Sequence, residues 1–571
     1  MNELTKKAYE TWKNAELSDE ALRKELASIA NDEEAINDRF YKELAFGTGG
    51  LRGVLGVGSN RMNIYTVGKA SRGLANYINS VSKSPKLAIA YDSRNNSDVF
   101  ARRAASVFAG AGIKVYIWKE LMPTPALSFA VRELGCDGGI MVTASHNPAK
   151  YNGYKVYGAD GCQIANEAAD RILDEIKSVD TFSDYKLVDF EEGLKSGIIE
   201  YVSEDTFNAF IDAVSTQTFI GDDIVKNVKI AYTPLYGTGL RSVTTCLKKN
   251  GFTNIEVVKE QATPNGDFPT CPYPNPEIRE ALEVGLNVAK EVGADILIAT
   301  DPDCDRVGIA VKQNDDFRLF SGNEVGVLLT DFIAKRKVAM GIMPKNPVVV
   351  KTIVTTDLVN RVADDYGIET RDVLTGFKYI GDQIANLEKD GEVDRYLLGF
   401  EESYGYLSGS YVRDKDAVNG AYLIAQMFAY YKAQNKSLLE VLDGLYEKYG
   451  YYLNTLYSFE FEGESGMKKM DAIMDTFRNN TPKDIAGVKI LEVRDYETST
   501  QTILATGEKK PIDLPKSNVI KYILEGNSSA VLRPSGTEPK LKLYLAISSE
   551  NEASARELES KISNEVKKSL S

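Results

Sequence analysis

Residues 136–148 read CDGGIMVTASHNP, and this stretch decides the fold and poses the question of function. Its first part, GGIMV (138–142), is apolar throughout, as expected of a strand buried on both faces in the parallel sheet of an α/β protein. The strand leads directly into TASHNP (143–148), where Ser145 precedes His146, the only histidine in the chain. Neighbouring residues on an extended segment point in opposite directions, so we do not expect these two to form the pair of a serine protease.

The alternation of apolar strands and helices continues on both sides of this stretch. Strand LAIAYDSR (87–94) precedes helix SDVFARRAASVFAGAG (97–112), and the alternation restarts at VKIAYTPL (228–235) and at PVVVKTIVTT (347–356). Repeated units of this kind predict mostly parallel, doubly wound α/β sheets. The first thirty or so residues predict an amphipathic helix, and the end of the chain mixes strands and helices as an α+β domain does. We therefore expect four domains: 1–205, 206–320, 321–450 and 451–571.

Composition excludes several classes of function. The 571 residues carry a formal net charge of −14, which argues against nucleic-acid or anionic-membrane binding but not against an anionic small molecule. The charged amino-terminal segment has no apolar signal core, and no apolar stretch is long enough to span a membrane. The five cysteines are scattered and odd in number, which favours free thiols in the cytoplasm over a disulfide framework or a zinc site.

In each α/β unit an apolar strand runs into an unusual polar loop. These loops are TASHNP (143–148), DPDCDR (301–306) and EESYG (401–405). Open α/β sheets bind ligands beyond the carboxyl ends of their strands. We therefore expect the three loops to face one central cleft.

The loop DPDCDR predicts a metal site. Asp301, Asp303 and Asp305 occupy alternate positions, so on an extended segment their carboxylates project to one side. Three such charges converge favourably only around a cation, and oxygen ligands suit a hard ion such as Mg²⁺. The alternative is a solvated acidic turn, which the apolar strand before the loop disfavours.

Further loops carry candidate binding residues. RPSGTEPK (533–540) combines an arginine, hydroxyls and a glycine, a set suited to holding a phosphate, although Pro-Ser-Gly is also common in plain turns. Each of the remaining candidates, named at the end of this paragraph, would by itself be a surface turn or a solvated charge. TPLYGTG (233–239) and FPTCPYPNPE (268–277) we interpret as structural. The other candidates are Arg52 in GTGGLRG (47–53), Lys155 in YNGYKVYG (151–158), Lys378 in TGFKYIG (375–381), Glu401 and Ser403 in EESYG, and Lys415 in RDKD (413–416).

Taken together, TASHNP, DPDCDR, GFEESYG and RPSGTEPK resemble, in that order, the four signature loops of the α-D-phosphohexomutase superfamily. The similarity is greatest to the longer branch that holds the phosphoglucomutases and phosphopentomutases. It implies three similar α/β domains and a smaller α+β domain around one central cleft. It also implies that Ser145 is phosphorylated and gives its phosphoryl group to a sugar-phosphate hydroxyl. The resulting bisphosphate turns around and returns its other phosphoryl group to the serine.

The resemblance also implies a role for each candidate residue. Asp301, Asp303 and Asp305 would hold Mg²⁺ together with the Ser145 phosphate. Arg52 and Lys155 would transfer protons or stabilise the phosphoryl group, His146 would orient the reactants, and Lys415 would lie near the transferring phosphate. The implied substrate contacts are Arg306, Gly376, Lys378, Glu401 and Ser403, with Arg533, Ser535, Gly536 and Thr537 on the phosphate that is not transferred.

Small departures from the family pattern bear on the substrate. Pro302 stands where many members have glycine, and Tyr236 stands where relatives often have histidine. The Glu-Glu-Ser sequence of EESYG favours glucose phosphates, hence interconversion of glucose 1-phosphate and glucose 6-phosphate through glucose 1,6-bisphosphate. Open alternatives are a pentose or mannose phosphate mutase, a serine phosphatase or hydrolase, and a non-catalytic binder of sugar phosphates. The sequence does not decide between monomer and dimer.

Overall fold

The computed structural model describes residues 2–47, 49–164, 166–182, 185–461, 463–534 and 540–570. The chain forms two compact units. The first unit contains the residues up to Ser321 together with Ile380–Tyr396 and Tyr404–Tyr430, and the second contains Gly322–Tyr379, Leu397–Ser403 and the residues from Tyr431 onward. Among the described residues, no helix combines the length and the apolar character needed to cross a bilayer.

The amino-terminal part of the first unit is built on one mixed sheet, whose strands in the described residues follow the order β1-β2-β6-β5-β3-β4-β7. β3 pairs in parallel with β4 and β5, whereas β6 runs antiparallel to both β5 and β2. The strands are β1 (Phe46–Gly47), β2 (Gly50–Val54), β3 (Lys86–Tyr91), β4 (Lys114–Ile117), β5 (Gly138–Val142), β6 (Tyr151–Gly158) and β7 (Ile199–Tyr201). The helices are α1 (Glu3–Asn14), α2 (Glu20–Ser28), α3 (Glu33–Phe40), α4 (Ile64–Val81), α5 (Ser97–Gly110), α6 (Thr124–Glu133), α7 (Asn166–Ser178), α8 (Phe190–Ser196) and α9 (Glu204–Ser215).

The single amino-terminal helix expected from the sequence is wrong. Three short helices, α1 to α3, form there instead, because Asp19 and Asp32 act as N-caps. Their carboxylates accept hydrogen bonds from the backbone N–H groups of Leu22 and Ala35, which starts a new helix at each point. The pattern of apolar residues is the same in one helix or three, so only the caps reveal the breaks.

A second sheet in the first unit has the strand order β12-β11-β10-β8-β9. β10 is parallel to β8 and antiparallel to β11, and all five of its residues are buried. The strands are β8 (Ile230–Thr233), β9 (Ile255–Val257), β10 (Ile296–Thr300), β11 (Val307–Gln313) and β12 (Asp316–Phe320), and the helices are α10 (Gly239–Lys249), α11 (Lys259–Ala262) and α12 (Arg279–Val292). The loop DPDCDR is the connection from β10 to β11.

Residues 322–449 alternate between the two units. In the second unit β13 pairs in parallel with β14, and β15 follows β13 in the sheet order. The strand expected over residues 347–356 ends at Thr352, because the chain then turns and Thr355 N–H donates to the Thr352 carbonyl at 3.0 Å. The elements are α13 (Gly322–Ala339), β13 (Val348–Thr352), α14 (Leu358–Asp365), β14 (Glu369–Val373), α15 (Phe377–Lys389), β15 (Tyr396–Glu401), β16 (Gly405–Leu407), α16 (Ala417–Lys432) and α17 (Leu438–Tyr449).

The carboxyl-terminal part is an antiparallel sheet packed with helices, as the sequence predicts for an α+β domain. Its core contains apolar side chains of α18, α19 and the sheet. The elements are β17 (Tyr451–Glu460), α18 (Gly463–Asn479), β18 (Asp484–Ile485), β19 (Val488–Asp495), β20 (Thr500–Ile503), β21 (Glu508–Pro511), β22 (Ile520–Leu524), β23 (Ser528–Pro534), β24 (Lys540–Ser549) and α19 (Glu552–Leu570). Three α/β domains and this β-rich domain confirm the predicted fold class.

Candidate active site

The serine loop after β5 and the aspartate loop after β10 meet in the first unit. The hydroxyl of Ser145 donates to the Oδ2 atom of Asp301 at 2.8 Å, although the two residues are 156 positions apart. Both side chains are buried. Each follows a fully buried strand, β5 or β10, so the two sheets supply the two halves of the site.

The backbone at Ser145 is left-handed, with φ of 51°, rather than extended. This conformation brings the Ser145 Oγ atom within 3.2 Å of the His146 Nδ1 atom, so our expectation that the two point apart is wrong. Burial, together with the positive charges of Arg306 and Arg52, lowers the pKa of His146 well below its usual range, so the imidazole is neutral at pH 7. The serine hydroxyl has one proton, and its shorter contact is to Asp301.

An arginine that the sequence analysis did not single out holds the serine loop. The guanidinium of Arg94, fully buried, donates to the carbonyl oxygens of Ser145, Asn147, Pro148 and Tyr151. These four contacts fix the course of the loop from the serine onward. The signal was present in LAIAYDSR (87–94), where an arginine follows a fully apolar strand.

Asp92 completes this support. Its carboxylate lies 3.5 Å from the Arg94 Nε atom and accepts hydrogen bonds from the hydroxyls of Thr143 (2.6 Å) and Ser97 (2.7 Å). The Thr143 hydroxyl oxygen in turn accepts the N–H of Ser145 at 2.8 Å. Ser145 is therefore held through its N–H and its carbonyl by one buried ion pair.

The three aspartates converge, but not for the reason expected. Residues 301–305 form a tight turn in which Cys304 has a φ of 52° and its N–H donates to the Asp301 carbonyl at 2.9 Å. One carboxylate oxygen from each aspartate lies within 4.8 Å of the others, and all three side chains are fully buried. A turn, rather than alternation along an extended segment, brings the carboxylates together.

Two lysines offset part of this negative charge. The Lys155 Nζ atom lies 2.8 Å from Asp303 Oδ2 and 3.1 Å from Asp305 Oδ2, and the Lys415 Nζ atom lies 2.8 Å from Asp305 Oδ2. Burial alone would lower the pKa of Lys155, but the two carboxylates outweigh it and raise the pKa. Burial alone would raise the pKa of Asp303, but Lys155 holds it below its usual range.

The donor atoms fit a hard metal ion. The Oδ1 atoms of Asp303 and Asp305 are buried and have no hydrogen-bond partner among the described residues. Burial and the charges of the other two carboxylates raise the pKa of Asp301 well above its usual range, an unfavourable arrangement that a cation would relieve. Converging carboxylate oxygens with unused lone pairs are typical ligands of such ions.

Other candidates of the first unit surround these loops. Arg52, exposed on β2, has its Nη1 atom 3.5 Å from Asn147 Oδ1 in the serine loop. Arg306 is ion-paired with Glu277. The serine loop, the aspartate loop and the residues around them therefore form one candidate site. It contains Ser145, His146, Arg52, Lys155, Lys415, Arg306 and the three aspartates.

The position of Lys415 is controlled by its neighbour Asp414. This buried carboxylate accepts a hydrogen bond from the Tyr157 hydroxyl at 2.7 Å and from the Lys415 N–H at 2.8 Å. Tyr157 lies on β6, the strand that also carries Lys155. Thr124 supports the aspartate loop in a similar way, since its hydroxyl donates to Asp303 Oδ2 at 2.9 Å. The sequence analysis identified neither Asp414 nor Thr124.

The second unit holds the remaining candidates. Glu401 accepts the N–H of Gly376 at 2.9 Å, and the φ of 121° at Gly376 favours glycine. Lys378 is almost buried, with its ammonium over the ring of Tyr379. Ser403 and Arg533 are partly buried. Ser535, Gly536 and Thr537 lie outside the described residues.

Three family models match the chain in succession. They describe α/β/α domains I, II and III of phosphoglucomutase/phosphomannomutase and match residues 43–182, 208–314 and 321–449. Each of the first two spans one of the loops that meet at Ser145 and Asp301.

Similar proteins extend over nearly the whole chain. A phosphoglucomutase of Staphylococcus saprophyticus is 38% identical over 533 residues, which cover 93% of this chain and 95% of the relative. A phosphoglucomutase of Staphylococcus aureus strain USA300 is 37% identical over 517 residues, covering 90% and 91%.

Solved structures share the fold. A phosphoglucomutase/phosphomannomutase family protein of Burkholderia thailandensis has a TM-score of 0.66 at 18% identity, covering 92% of this chain and 97% of its own. The open form of the Paramecium phosphoglucomutase parafusin has a TM-score of 0.64 at 17% identity, covering 93% and 95%.

Proposed function

This chain belongs to the phosphoglucomutase/phosphomannomutase family, and we propose that it interconverts glucose 1-phosphate and glucose 6-phosphate through a phosphoserine and glucose 1,6-bisphosphate. It is an isomerase of the phosphoglucomutase type. The observation that carries the proposed mechanism is the 2.8 Å contact between the Ser145 hydroxyl and Asp301, within a triad of buried carboxylates.

Ser145 is the phosphoryl donor in this proposal. The P–O bond to its Oγ atom breaks as a bond from phosphorus to the sugar hydroxyl oxygen forms, and the proton of that hydroxyl ends on the Ser145 Oγ atom. The reverse transfer from the other end of the bisphosphate restores the phosphoserine and returns the proton to the sugar oxygen. Mg²⁺, held by Asp301, Asp303, Asp305 and the phosphate of Ser145, would neutralise charge on the transferring group. The clamp of Arg94 on the loop carbonyls keeps Ser145 in position, which matters because misplacement by about 1 Å slows such reactions steeply.

The ionisation states of the nearby groups support the roles that we propose for them. Because its pKa is raised, Lys155 remains an ammonium and stabilises the phosphoryl group rather than accepting a proton. Neutral His146, 3.2 Å from the serine oxygen, orients the reacting atoms. Arg52 and Lys415 supply further positive charge for the transferring phosphate.

The second unit binds the rest of the substrate in this proposal. Glu401 accepts hydrogen bonds from sugar hydroxyls and Ser403 donates to them. Gly376 and Lys378 lie beside these two residues in the sequence of contacts that we propose. Arg533, with Ser535, Gly536 and Thr537, holds the phosphate that is not transferred, and Arg306 contributes from the first unit.

The wider setting also remains part of the proposal. The proposed domains are 1–205, 206–320, 321–450 and 451–571, and the proposed substrates are sugar phosphates rather than nucleic acid or membrane. The five buried free cysteines support the cytoplasm as the compartment.

A coupled assay with glucose 1-phosphate, Mg²⁺ and a trace of glucose 1,6-bisphosphate tests the function. We expect activity that depends on the bisphosphate and disappears in Ser145→Ala. Ser71→Ala is the matched control, because Ser71 is also buried and bonded, to the Tyr154 hydroxyl at 3.0 Å. Full activity of Ser145→Ala would refute the mechanism. A higher kcat/KM for mannose 1-phosphate or a pentose 1-phosphate would replace the substrate but keep the mechanism.

A further inference from the structure

We propose that Phe268 and the loop that carries it (residues 263–271), together with the turn of residues 235–238 that it packs against, are a positioning element that fixes the serine loop against the aspartate loop. The element acts through Arg94 and does not contact substrate. The inference rests on the proposed function for its kinetic consequence, whereas its structural consequence stands apart from it. The sequence had indicated only a plain turn at this point.

Phe268 packs against the guanidinium of Arg94. The edge of the Arg94 guanidinium is directed at four loop carbonyls and Asp92. The guanidinium lies over the Phe268 ring, with the Cζ atom 5.0 Å from the ring centroid. Phe268 is fully buried, and a desolvated arginine on an aromatic face is a favourable contact. Phe268 thus limits how the guanidinium can tilt or withdraw.

The loop is held in a conformation that an ordinary turn would avoid. Phe268, Leu235 and Tyr236 have φ values of 47°, 45° and 63°, which are unfavourable for residues with a Cβ atom. All three are buried in one apolar cluster that also packs against Ala149 of the serine loop. Such backbone persists only where surrounding contacts impose it, so these residues serve a geometric requirement.

One end of this element packs against the turn that carries Arg94. Gly266 packs so closely that a Cβ atom there would lie 2.4 Å from the backbone N of Asn95. The Asn95 side chain donates to Asp267 Oδ1 at 2.7 Å, and the Asn152 side chain donates to the Asn95 carbonyl at 3.0 Å.

The other end contacts the aspartate loop. A Cβ atom at Gly237 would lie 2.4 Å from the Cα atom of Pro302, and the N–H of Thr238 donates to the Pro302 carbonyl at 2.9 Å. Tyr236, next to this contact, accepts the N–H of Asn265 through its carbonyl at 3.3 Å. One strained, buried body therefore touches both the loop of Ser145 and the loop of Asp301, and it sets the distance between them.

The variant Phe268→Leu tests the inference, since leucine keeps an apolar side chain but removes the ring under Arg94. We expect kcat to fall about tenfold or more, and the rate of Ser145 phosphorylation by glucose 1,6-bisphosphate to fall by the same factor. The KM for glucose 1-phosphate should change less than about twofold, because the sugar contacts proposed for the second unit are intact. The matched control is Phe252→Leu, because Phe252 is equally buried in the same domain but packs against Tyr422.

Hydrogen–deuterium exchange gives a readout that does not depend on activity. In Phe268→Leu, amides of residues 143–152 should exchange faster than in the wild type, and in Phe252→Leu they should not. Unchanged exchange there in Phe268→Leu, or equal acceleration in both variants, would overturn the inference whatever the enzyme does. A wild type that never phosphorylates Ser145, combined with the expected exchange, would refute the proposed function and leave the positioning element standing.

Discussion

Two buried lysines, one in each unit, are each paired with two aspartates. Lys155 lies between Asp303 and Asp305 in the first unit. Lys351 lies 2.9 Å from Asp357 Oδ1 and 2.8 Å from Asp372 Oδ1 in the second. In both cases the carboxylates outweigh burial and raise the lysine pKa.

The two networks differ in whether their buried carboxylate oxygens are paired. Asp303 and Asp305 each keep a buried oxygen without a hydrogen-bond partner, next to a third carboxylate, Asp301. Around Lys351 the buried Asp372 Oδ1 atom also lacks a hydrogen bond, but it lies 2.8 Å from the Lys351 Nζ atom, so its charge is paired. A second cation adds to this balance, because the Lys521 Nζ atom lies 3.8 Å from Asp357 Oδ2. Within the described residues, a group of three acids able to hold a metal occurs only around Lys155. An ion-pair network with buried acceptor oxygens left over for a ligand indicates a binding site. A network whose carboxylates are all paired with cations indicates a structural role.

The largest expected effect is loss of catalysis in Lys155→Met. In the proposed mechanism the Lys155 ammonium stabilises the transferring phosphate, so its removal should lower kcat by about 100-fold or more, as loss of a transition-state donor does. Unfolding in Mg²⁺ should change little, since the metal compensates the carboxylates. Steady-state kinetics and thermal unfolding of the same preparation check both points, and a kcat within threefold of wild type would contradict the assignment.

Lys351→Met should do the opposite. Asp357 and Asp372 are partly buried and would lose their nearest cation, which typically lowers the free energy of unfolding by about 1–3 kcal/mol. The kcat of the folded fraction should change far less than in Lys155→Met. Urea unfolding measures the loss, and a wild-type midpoint would show that this network does not support the second unit.

The pH dependence of stability sharpens this difference. In the wild type, burial raises the pKa of Asp357, but Lys351 outweighs it and the pKa lies below its usual range. Its contribution to stability is therefore complete above the unfolded pKa, about 4, and is lost as the pH falls through the folded value. Lys351→Met removes the charge that lowers the pKa of Asp357 most, so the variant should lose less stability than the wild type as the pH falls below about 4. Urea titrations of both proteins across this pH range measure the free energy of unfolding. Parallel trends in the two proteins would contradict the prediction.

Metal binding should stabilise only the network that has unused acceptors. Mg²⁺ at about 100 times its dissociation constant would stabilise the wild type by about 2.7 kcal/mol, and chelation would remove the effect. Asp303→Asn should lose this response, whereas Lys351→Met should keep it despite its lower starting stability. Equal Mg²⁺ responses in wild type and Asp303→Asn would place the ion elsewhere.

A smaller effect is expected from Tyr157→Phe, which removes one hydrogen bond to Asp414. Loss of about 1 kcal/mol of positioning for Lys415 corresponds to about a fivefold decrease in kcat. Tyr154→Phe is the matched control, since this buried tyrosine lies on the same strand and bonds Ser71 instead. Equal kcat values for the two variants would show that Asp414 does not position Lys415.

The sequence was sufficient for what local pattern and strand order determine. Apolar runs located β5 and β10, and the polar loops at their carboxyl ends do meet, as expected for α/β sheets. The family resemblance, carried by whole motifs, was confirmed by the relatives.

The details of the loops could not be predicted in this way. The backbone is left-handed at Ser145 and Cys304. At Ser145 this brings His146 close, against our expectation, whereas at Cys304 it gives the expected convergence of the aspartates through a turn. Arg94 and Phe268 are 174 positions apart, and nothing in the pattern near either one indicates the other. Long-range packing decides such residues, and short motifs do not record it.

The most direct test of the central claim follows the phosphoryl group itself. The protein is incubated with labelled glucose 1,6-bisphosphate and Mg²⁺, the labelled peptide is mapped, and unlabelled glucose 1-phosphate is then added. The account predicts one phosphoryl group on Ser145 that passes to the added sugar phosphate within the time of turnover. Isomerisation that proceeds while Ser145 carries no label would contradict it.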